Sequence, residues 1–331
     1  MLKIGIPRAL LYYQYYPMWQ TFFEELGAEV VVSPPTTQLI LSAGSSRVVA
    51  DTCLPVKAFV GHVLSLVEKC DYIFIPAIRS VKSKVYNCSK FLGLPDMSQA
   101  VVPESPPILD IEIDINQSKR NLYQAVYKLG RRFTWNPLKV RRAAIAAWQA
   151  HLNYRQLMSS HKLTPPQAID RISGTVVAEP KTRFRPTSAT IALIGHPYLL
   201  YDELLSHRLI RRLEQAHCRV LTPEMVSAEE LESAIARTVG KAHWTYEEEV
   251  VGAGEHYLSH GTDGVIGIVA FGCGPDSLMI DIVRRQAQLG SSPFMSLNLD
   301  EHTAEAGMVT RLEAFLDMIH RKRRQPTCAW A

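Results

Sequence analysis

Three cysteines lie where a thiol is placed for chemistry. Cys273 follows the apolar, β-branched run Val265–Ala270 and sits inside Gly272-Cys273-Gly274-Pro275, ahead of the helical pattern Leu278–Val283. A run of that kind predicts a buried parallel strand, which puts Cys273 in a tight turn at the strand's carboxyl end, where open α/β sheets bind ligands. The flanking glycines permit close approach to the backbone, and the helix start favours a thiolate. Cys53, in Asp51-Thr52-Cys53-Leu54-Pro55-Val56-Lys57, precedes an apolar helix pattern reaching about Val67. Proline near a helix start is tolerated because that N–H has no intrahelical partner. Cys88, in the loop Lys84–Met97, lies downstream of the apolar strand Tyr72–Pro76. Lys57, Lys84 and Lys90 bring positive charge near these thiols. Cys70 and Cys218 fall between a helix end and a strand start, and Cys328 lies near the chain end. The six cysteines thus divide into three candidate ligands and three bystanders. On spacing alone three readings stand: metal ligation, unrelated structural thiols, or one catalytic cysteine.

Further polar residues share the carboxyl-edge setting. His196, in Gly195-His196-Pro197-Tyr198, is a candidate metal ligand or proton donor, or a cap for the next helix. Asp300, Glu301 and His302 follow the last strand; Glu301 and His302 are candidate acid–base groups, while Asp300 can cap the helix beyond it. Lys57 and Lys90 can offset the charge of a bound anionic group or reach solvent. Arg8 and Tyr12 are placed to line the same cleft, and His62 reads as a satisfied histidine at a helix interface. The aromatic stripe Tyr12, Tyr15, Tyr16, Trp19, Phe22 and Phe23 reads as core or as a subunit interface.

The elements that position these residues alternate. Strands are expected at Leu2–Ile6, Ala28–Val32, Tyr72–Pro76 and Ile108–Ile113, with helices at Tyr12–Leu26 (closed by Gly27), near Gln38–Val49 and after Cys53. From Asn116 to about Arg171 the pattern is helical, clearest over Ala143–Met158, and Ser173 to Pro186 reads as a linker. A second series begins with strand Thr190–Ile194, helix Glu203–Gln215 and strand Arg219–Thr222. Helices near Ala228–Val239 and Tyr246–Ser259 precede the Cys273 strand; strand Pro293–Leu297 and helix Met308–His320 close the series. The expected fold is α/β: two doubly wound (Rossmann- or flavodoxin-like) parallel-sheet domains, 1–115 and 187–331, joined by a helical connector and linker over 116–186. No internal sequence repeat is evident.

The chain has 331 residues, 47% hydrophobic and 21% charged, with a formal net charge of +4. That composition is ordinary for a globular protein and long enough for two cores. The basic run Arg321–Arg324 reads as a solvated helix end, so no nucleic-acid partner is expected. No stretch approaches the ~20 apolar residues of a membrane span, and Met1–Pro7 reads as a strand rather than a signal peptide. Irregular cysteine spacing does not match a secreted disulfide framework, so a cytoplasmic protein with reduced thiols is expected. Neither Gly-x-x-x-x-Gly-Lys-Ser/Thr nor Gly-x-Gly-x-x-Gly occurs, so ATP dependence must come from a partner. The absence of Cys-x-x-Cys argues against a zinc ribbon or ferredoxin motif.

Ile4-Gly5-Ile6-Pro7-Arg8-Ala9-Leu10-Leu11-Tyr12-Tyr13 resembles the opening of activase-associated iron–sulfur proteins. These are related to the D component of 2-hydroxyacyl-CoA dehydratases, benzoyl-CoA reductase subunits and double-cubane cluster proteins. The resemblance recurs at Asp51–His62, Phe74–Met97, Gly195–Asp202, Phe271–Ser277 and Asp300–Arg311, and its Asp-x-Cys-x-Pro-x-Lys and Phe-x-Cys-x-Pro elements are specific. It implies one oxygen-sensitive [4Fe–4S] cluster on Cys53, Cys88 and Cys273, fed by an ATP-hydrolysing activase in an anaerobic system. It also implies a paired homologous subunit or homodimer and a small-molecule substrate, of which acyl-CoA is one type. Ala77, Ser89 and Ala304 stand where arginine, proline and glycine are common in such proteins; none of these departures removes a ligand. Two other assignments fit the same residues: an electron-relay or scaffold subunit with no open iron, and a zinc enzyme using the three thiolates.

Overall fold

The computed structural model describes residues 1–175 and 188–324; most of the expected linker, and Cys328, lie outside them. In chain order the first part contains β1 (Lys3–Ile6), α1 (Tyr12–Leu26), β2 (Glu29–Val32), α2 (Gln38–Ser45), α3 (Leu54–Leu66), β3 (Tyr72–Phe74), β4 (Ala77–Ser80), α4 (Ser89–Leu92), α5 (Leu94–Val101), β5 (Ile108–Leu109) and β6 (Glu112–Asp114). Three helices follow: α6 (Lys119–Gly130), α7 (Pro137–His161) and α8 (Pro165–Ile172). The last part contains β7 (Thr190–Ile194), α9 (Pro197–Leu200), α10 (Leu209–Gln215), β8 (Arg219–Leu221), α11 (Ala228–Thr238), α12 (Ala253–Ser259), β9 (Gly264–Ala270), α13 (Gly274–Leu289), β10 (Phe294–Leu299) and α14 (Glu305–Arg324). A 3₁₀ turn at Pro223–Met225 precedes α11, and a π-helical turn at Glu248–Gly252 precedes α12.

Two four-stranded sheets form, ordered β2-β1-β3-β5 and β8-β7-β9-β10, and every pairing in them is parallel. The fold is the expected doubly wound α/β type. β9 is buried along its whole length, as a central parallel strand must be. One apolar core runs through both halves, from Ile4 and Phe74 to Ile266 and Leu297.

Helix α1 ends where Gly27 takes φ 89°, a left-handed cap whose N–H donates to Glu24 O. Pro17 inside α1 has no N–H for the carbonyl of Tyr13. That carbonyl instead accepts the hydroxyl of Tyr154 on α7, at 2.7 Å. A buried hydrogen bond between α1 and α7 thus replaces the missing helical one, and it anchors the helical middle to the first half.

The differences from expectation have local causes. The strand expected over Tyr72–Pro76 stops at Phe74, and the one over Ile108–Ile113 breaks after Leu109. In each case the chain resumes as an outer parallel pair, β4 with β6, in which Ala77 faces Glu112. The helix expected from Glu203 starts only at Leu209, because His207 and Arg208 take φ 51° and 58°. The backbone amides of Leu204 and Leu205 donate instead to Asp202 Oδ1, each at 3.0 Å. Within the helix expected over Tyr246–Ser259, the segment Glu248–Gly252 winds as a π turn. No helix among the described residues is long and apolar enough to cross a membrane.

Candidate functional site

Cys53, Cys88, Cys273 and His196 are the N-cap residues of α3, α4, α13 and α9. N-caps are usually Ser, Thr, Asp or Asn, whose side chains accept from the first free amides. None of these four side chains makes such a capping bond. Proline at the first or second position of α3, α9 and α13 sets the helix entry without needing its N–H. Three thiols and an imidazole are therefore presented at helix starts.

The three cysteines come together although two belong to the first half and one to the second. The charges of Cys53 and Cys88 both act on the Cys273 thiol. Burial is the main influence there; together with the charge of Asp276 it pushes Cys273 up to about 12. Lys90 Nζ donates to Cys53 Sγ at 3.7 Å. Gly272 reaches φ 77°, and a side chain there would approach Asp51 O at 3.8 Å, so the Cys273 turn lies against the loop leading to Cys53. All three cysteines are partly exposed and free of disulfides.

His196 and Asp276 complete the neighbourhood. His196 is 4% exposed; its Nδ1 lies 2.9 Å from Tyr198 Oη and 3.5 Å from Asp276 Oδ1. Asp276 is fully buried, and its Oδ2 accepts from the amide of Ala270 at the end of β9. Its Oδ1 has no hydrogen-bond partner. Orphaned buried carboxylate oxygens are uncommon and call for a ligand or proton. Donor atoms of His196, Cys273 and Asp276 all lie within 4.8 Å of one another. Asp276 escaped the sequence reading because an acid in the first turn of a helix reads as a cap; the signal was its place three residues after a cysteine N-cap.

Lys57 is almost fully buried, donates to Ala50 O at 2.8 Å, and forms an ion pair with Glu301 from the other half. Desolvation is the largest single influence on Glu301 and pushes it up, but the hydrogen bond and charge of Lys57, its own backbone amide and His302 together hold it below the ordinary carboxylate range. His302 projects to solvent with its side chain 85% exposed, 3.7 Å from Glu301. Asp300 closes a local turn, accepting from His302 N and Thr303 Oγ1. His62 is fully buried between Ser33 Oγ and Thr36 Oγ1, each 2.9 Å from a ring nitrogen. Arg8 packs over the Tyr12 ring at 5.6 Å. Cys70 fills space beside Gly5, and Cys218 is fully buried at the amino edge of β8.

The family model described as "CoA enzyme activase uncharacterised domain (DUF2229)" matches residues 3–226, more than half of the chain. The chain belongs to that family. The match takes in Cys53, Cys88 and His196 and ends before Cys273, so the third thiol comes from the part of the second half beyond the matched segment. A comparison with curated proteins gives no match.

Proposed function

We propose that this CoA-enzyme-activase-related chain is the iron–sulfur component of an ATP-dependent low-potential reductase or 2-hydroxyacyl-CoA dehydratase-like system. One [4Fe–4S] cluster would be held by Cys53, Cys88 and Cys273, with electrons arriving from an ATP-hydrolysing activase. The observation that carries this reading is the gathering of three thiols at three helix starts. The donor set suits the group. Lys90 beside Cys53 brings a cation to the cleft that would offset part of the charge of an anionic cofactor. Spacing also counts against a single ion on three thiolates. Sulfurs around one tetrahedral zinc stand about 3.8 Å apart, given Zn–S near 2.3 Å. Among the described residues only the His196–Cys273–Asp276 group has its donors within 4.8 Å of one another, so the three thiols are set wider.

A bound cluster supplies a low-potential electron and, at an iron without a thiolate, a Lewis-acid position for a carbonyl or thioester oxygen. The chain's own residues do the rest. The Tyr198 hydroxyl, 2.9 Å from Nδ1, orients the His196 ring at the cleft. The Lys57–Glu301 pair locks the loop after β10 against α3. The three-part division at residues 115 and 186 would then be two halves that share one cluster and a helical connector, working with a homologous subunit or a second copy.

Anaerobic purification with iron and acid-labile sulfide analysis tests the reading. About four of each per chain are expected, lost in Cys53→Ala, Cys88→Ala and Cys273→Ala and retained in Cys70→Ala. Iron without sulfide, or no iron, overturns it. A second reading has its own support: the orphaned Asp276 oxygen, His196 and Cys273 are spaced for one ion, such as zinc. Zinc that survives Cys88→Ala and is lost in His196→Ala selects that reading.

A further inference from the structure

Glu224 stands in the 3₁₀ turn that follows β8, and Glu249 in the π turn that precedes α12. Single π turns are rare and recur at functional sites. Glu224, Glu249 and Tyr15 lie deep in the molecule and their charges act on one another, yet each keeps accessible surface. They therefore line a recess that admits water-sized groups. The charges in it do not balance. Arg155 on α7 offsets Glu249, and His196 faces Glu249 as well as Asp276. The His151 ring, 5.4 Å from that of Tyr15, is kept neutral by burial and by Arg155, which lower it to about 4. Among the described residues no lysine or arginine acts on Glu224. Tyr201 donates its hydroxyl to Glu224 Oε2, but a hydrogen bond does not cancel a buried charge. Beside this pair stands Thr222, fully buried at the carboxyl end of β8. Its Oγ1 faces the Glu224 carboxylate and the Tyr201 hydroxyl and has no hydrogen-bond partner. The Thr222 carbonyl accepts from Tyr257 Oη at 2.6 Å, which pins the residue in place. A buried polar oxygen left bare calls for a ligand.

We propose that this recess is a site for one monovalent alkali cation, sodium or potassium, held by Glu224, Thr222 Oγ1 and the Tyr201 hydroxyl oxygen, with Glu249 as a further oxygen donor. The donors are all oxygen, which suits a hard cation and not a softer one such as zinc or copper. With Arg155 set against Glu249, one negative charge is left over, and it calls for one positive charge. Calcium gathers about six to eight oxygens, and magnesium demands near-ideal octahedral geometry, so neither matches this short donor set. A proton on Glu224 is the rival, since it removes the charge without any ion. A bound cation ties the turn after β8 to the π turn. It thereby steadies Tyr246, just ahead of that turn, whose ring packs 4.9 Å from the His196 ring.

The site draws on none of the thiols, so iron content has no bearing on its test. Thermal unfolding of the full chain is compared in sodium, potassium and choline chloride at equal ionic strength, at about pH 8, where Glu224 is ionised. The favoured alkali ion at about 100 mM should raise the midpoint by about 2 °C over choline and saturate as a single site does. Sodium NMR linewidths read the binding directly: the protein should broaden the sodium line, and added potassium should sharpen it again. Thr222→Val keeps the side-chain shape and removes the hydroxyl, and should weaken the ion about tenfold. Glu224→Gln should abolish binding, and circular dichroism shows whether both variants keep the fold. Equal midpoints in the three salts with no sodium broadening mean that a proton alone serves Glu224, and overturn the proposal. An ion effect that survives both substitutions overturns it too, as does a larger response to magnesium, calcium or methylammonium than to either alkali ion.

Discussion

The two halves share a strand order and differ in where they put chemistry. Matching β1, β2, β3 and β5 with β7, β8, β9 and β10 makes the two sheets the same arrangement. The point where the order reverses is the natural ligand edge of such a sheet. In the second half, the residues two past β7 and three past β9 are His196 and Cys273. In the first half the matching residues are Arg8 and Ala77, and the chain at Ala77 runs on as β4. The first half therefore contributes its thiols from the starts of α3 and α4, away from its own reversal point. One scaffold used twice thus puts His196 and Cys273 at the reversal point of one half and Arg8 and Ala77 at that of the other.

Substitutions can break that contrast. The first half packs α2 on α3 through two glycines. A Cβ at Gly44 would lie 2.0 Å from Lys57 O, and one at Gly61 would lie 2.0 Å from Ile40 O. Gly61→Ala is expected to cost about 3 kcal/mol or more, since backbone cannot step aside. In the second half the close neighbour of Gly254 is the Val283 side chain, at 2.6 Å, so Gly254→Ala should cost about 1–2 kcal/mol. Chemical denaturation of both variants measures the difference; equal costs would erase it.

Next in size is the pH response. Burial, with the charge of Arg8, lowers His62 to about 4 from an ordinary value near 6.5. The folded state prefers the neutral ring, so this contribution is complete above pH 6.5 and is lost as pH falls toward 4, about 3 kcal/mol in all. Burial pushes Glu224, in the second half, up to about 7 against its hydrogen bond from Tyr201. Its contribution runs the other way: complete below the unfolded value near 4.5 and lost as pH rises toward 7. His62→Gln should flatten the acid side of the stability profile, and Glu224→Gln the neutral side. Urea midpoints from pH 4 to 8 decide whether the two slopes separate.

Removing one partner of the Lys57–Glu301 pair leaves a buried charge unmatched. Glu301→Gln should cost about 2–3 kcal/mol, at the low end for buried pairs because Glu301 is partly exposed. The double variant Lys57→Met/Glu301→Gln should recover part of that loss, which a thermal unfolding cycle would show. The smallest effect is expected at His302, where replacement by alanine should move stability by less than about 0.5 kcal/mol.

Much of this was legible in the chain. The β-branched run before Cys273 gave a strand buried from Gly264 to Ala270, and Tyr12–Leu26 and Thr190–Ile194 have the expected bounds. Gly27 marked its helix end because only a left-handed residue could sit there. What escaped was non-local. Asp202 captures two amides and delays α10 by several residues, a competition that helix periodicity does not register. The shared strand order leaves no sequence repeat, because strand order depends on which edges pair and not on residue identity. Asp276 Oδ2 takes the amide of Ala270 while Oδ1 stays without a partner, which is visible only once β9 and α13 are placed.

The segment before Cys88 is tied at both ends. Asn87 N donates to Arg79 O within the first half, while Tyr86 N donates to His243 O and Thr245 N to Tyr86 O across to the second. Tyr86 and Trp244 form a parallel bridge. During synthesis, then, the second tie on the segment before Cys88 forms only once residues near 244 have left the ribosome, and Cys273 follows some thirty residues later. The three thiols are thus all in place only after both halves have been made.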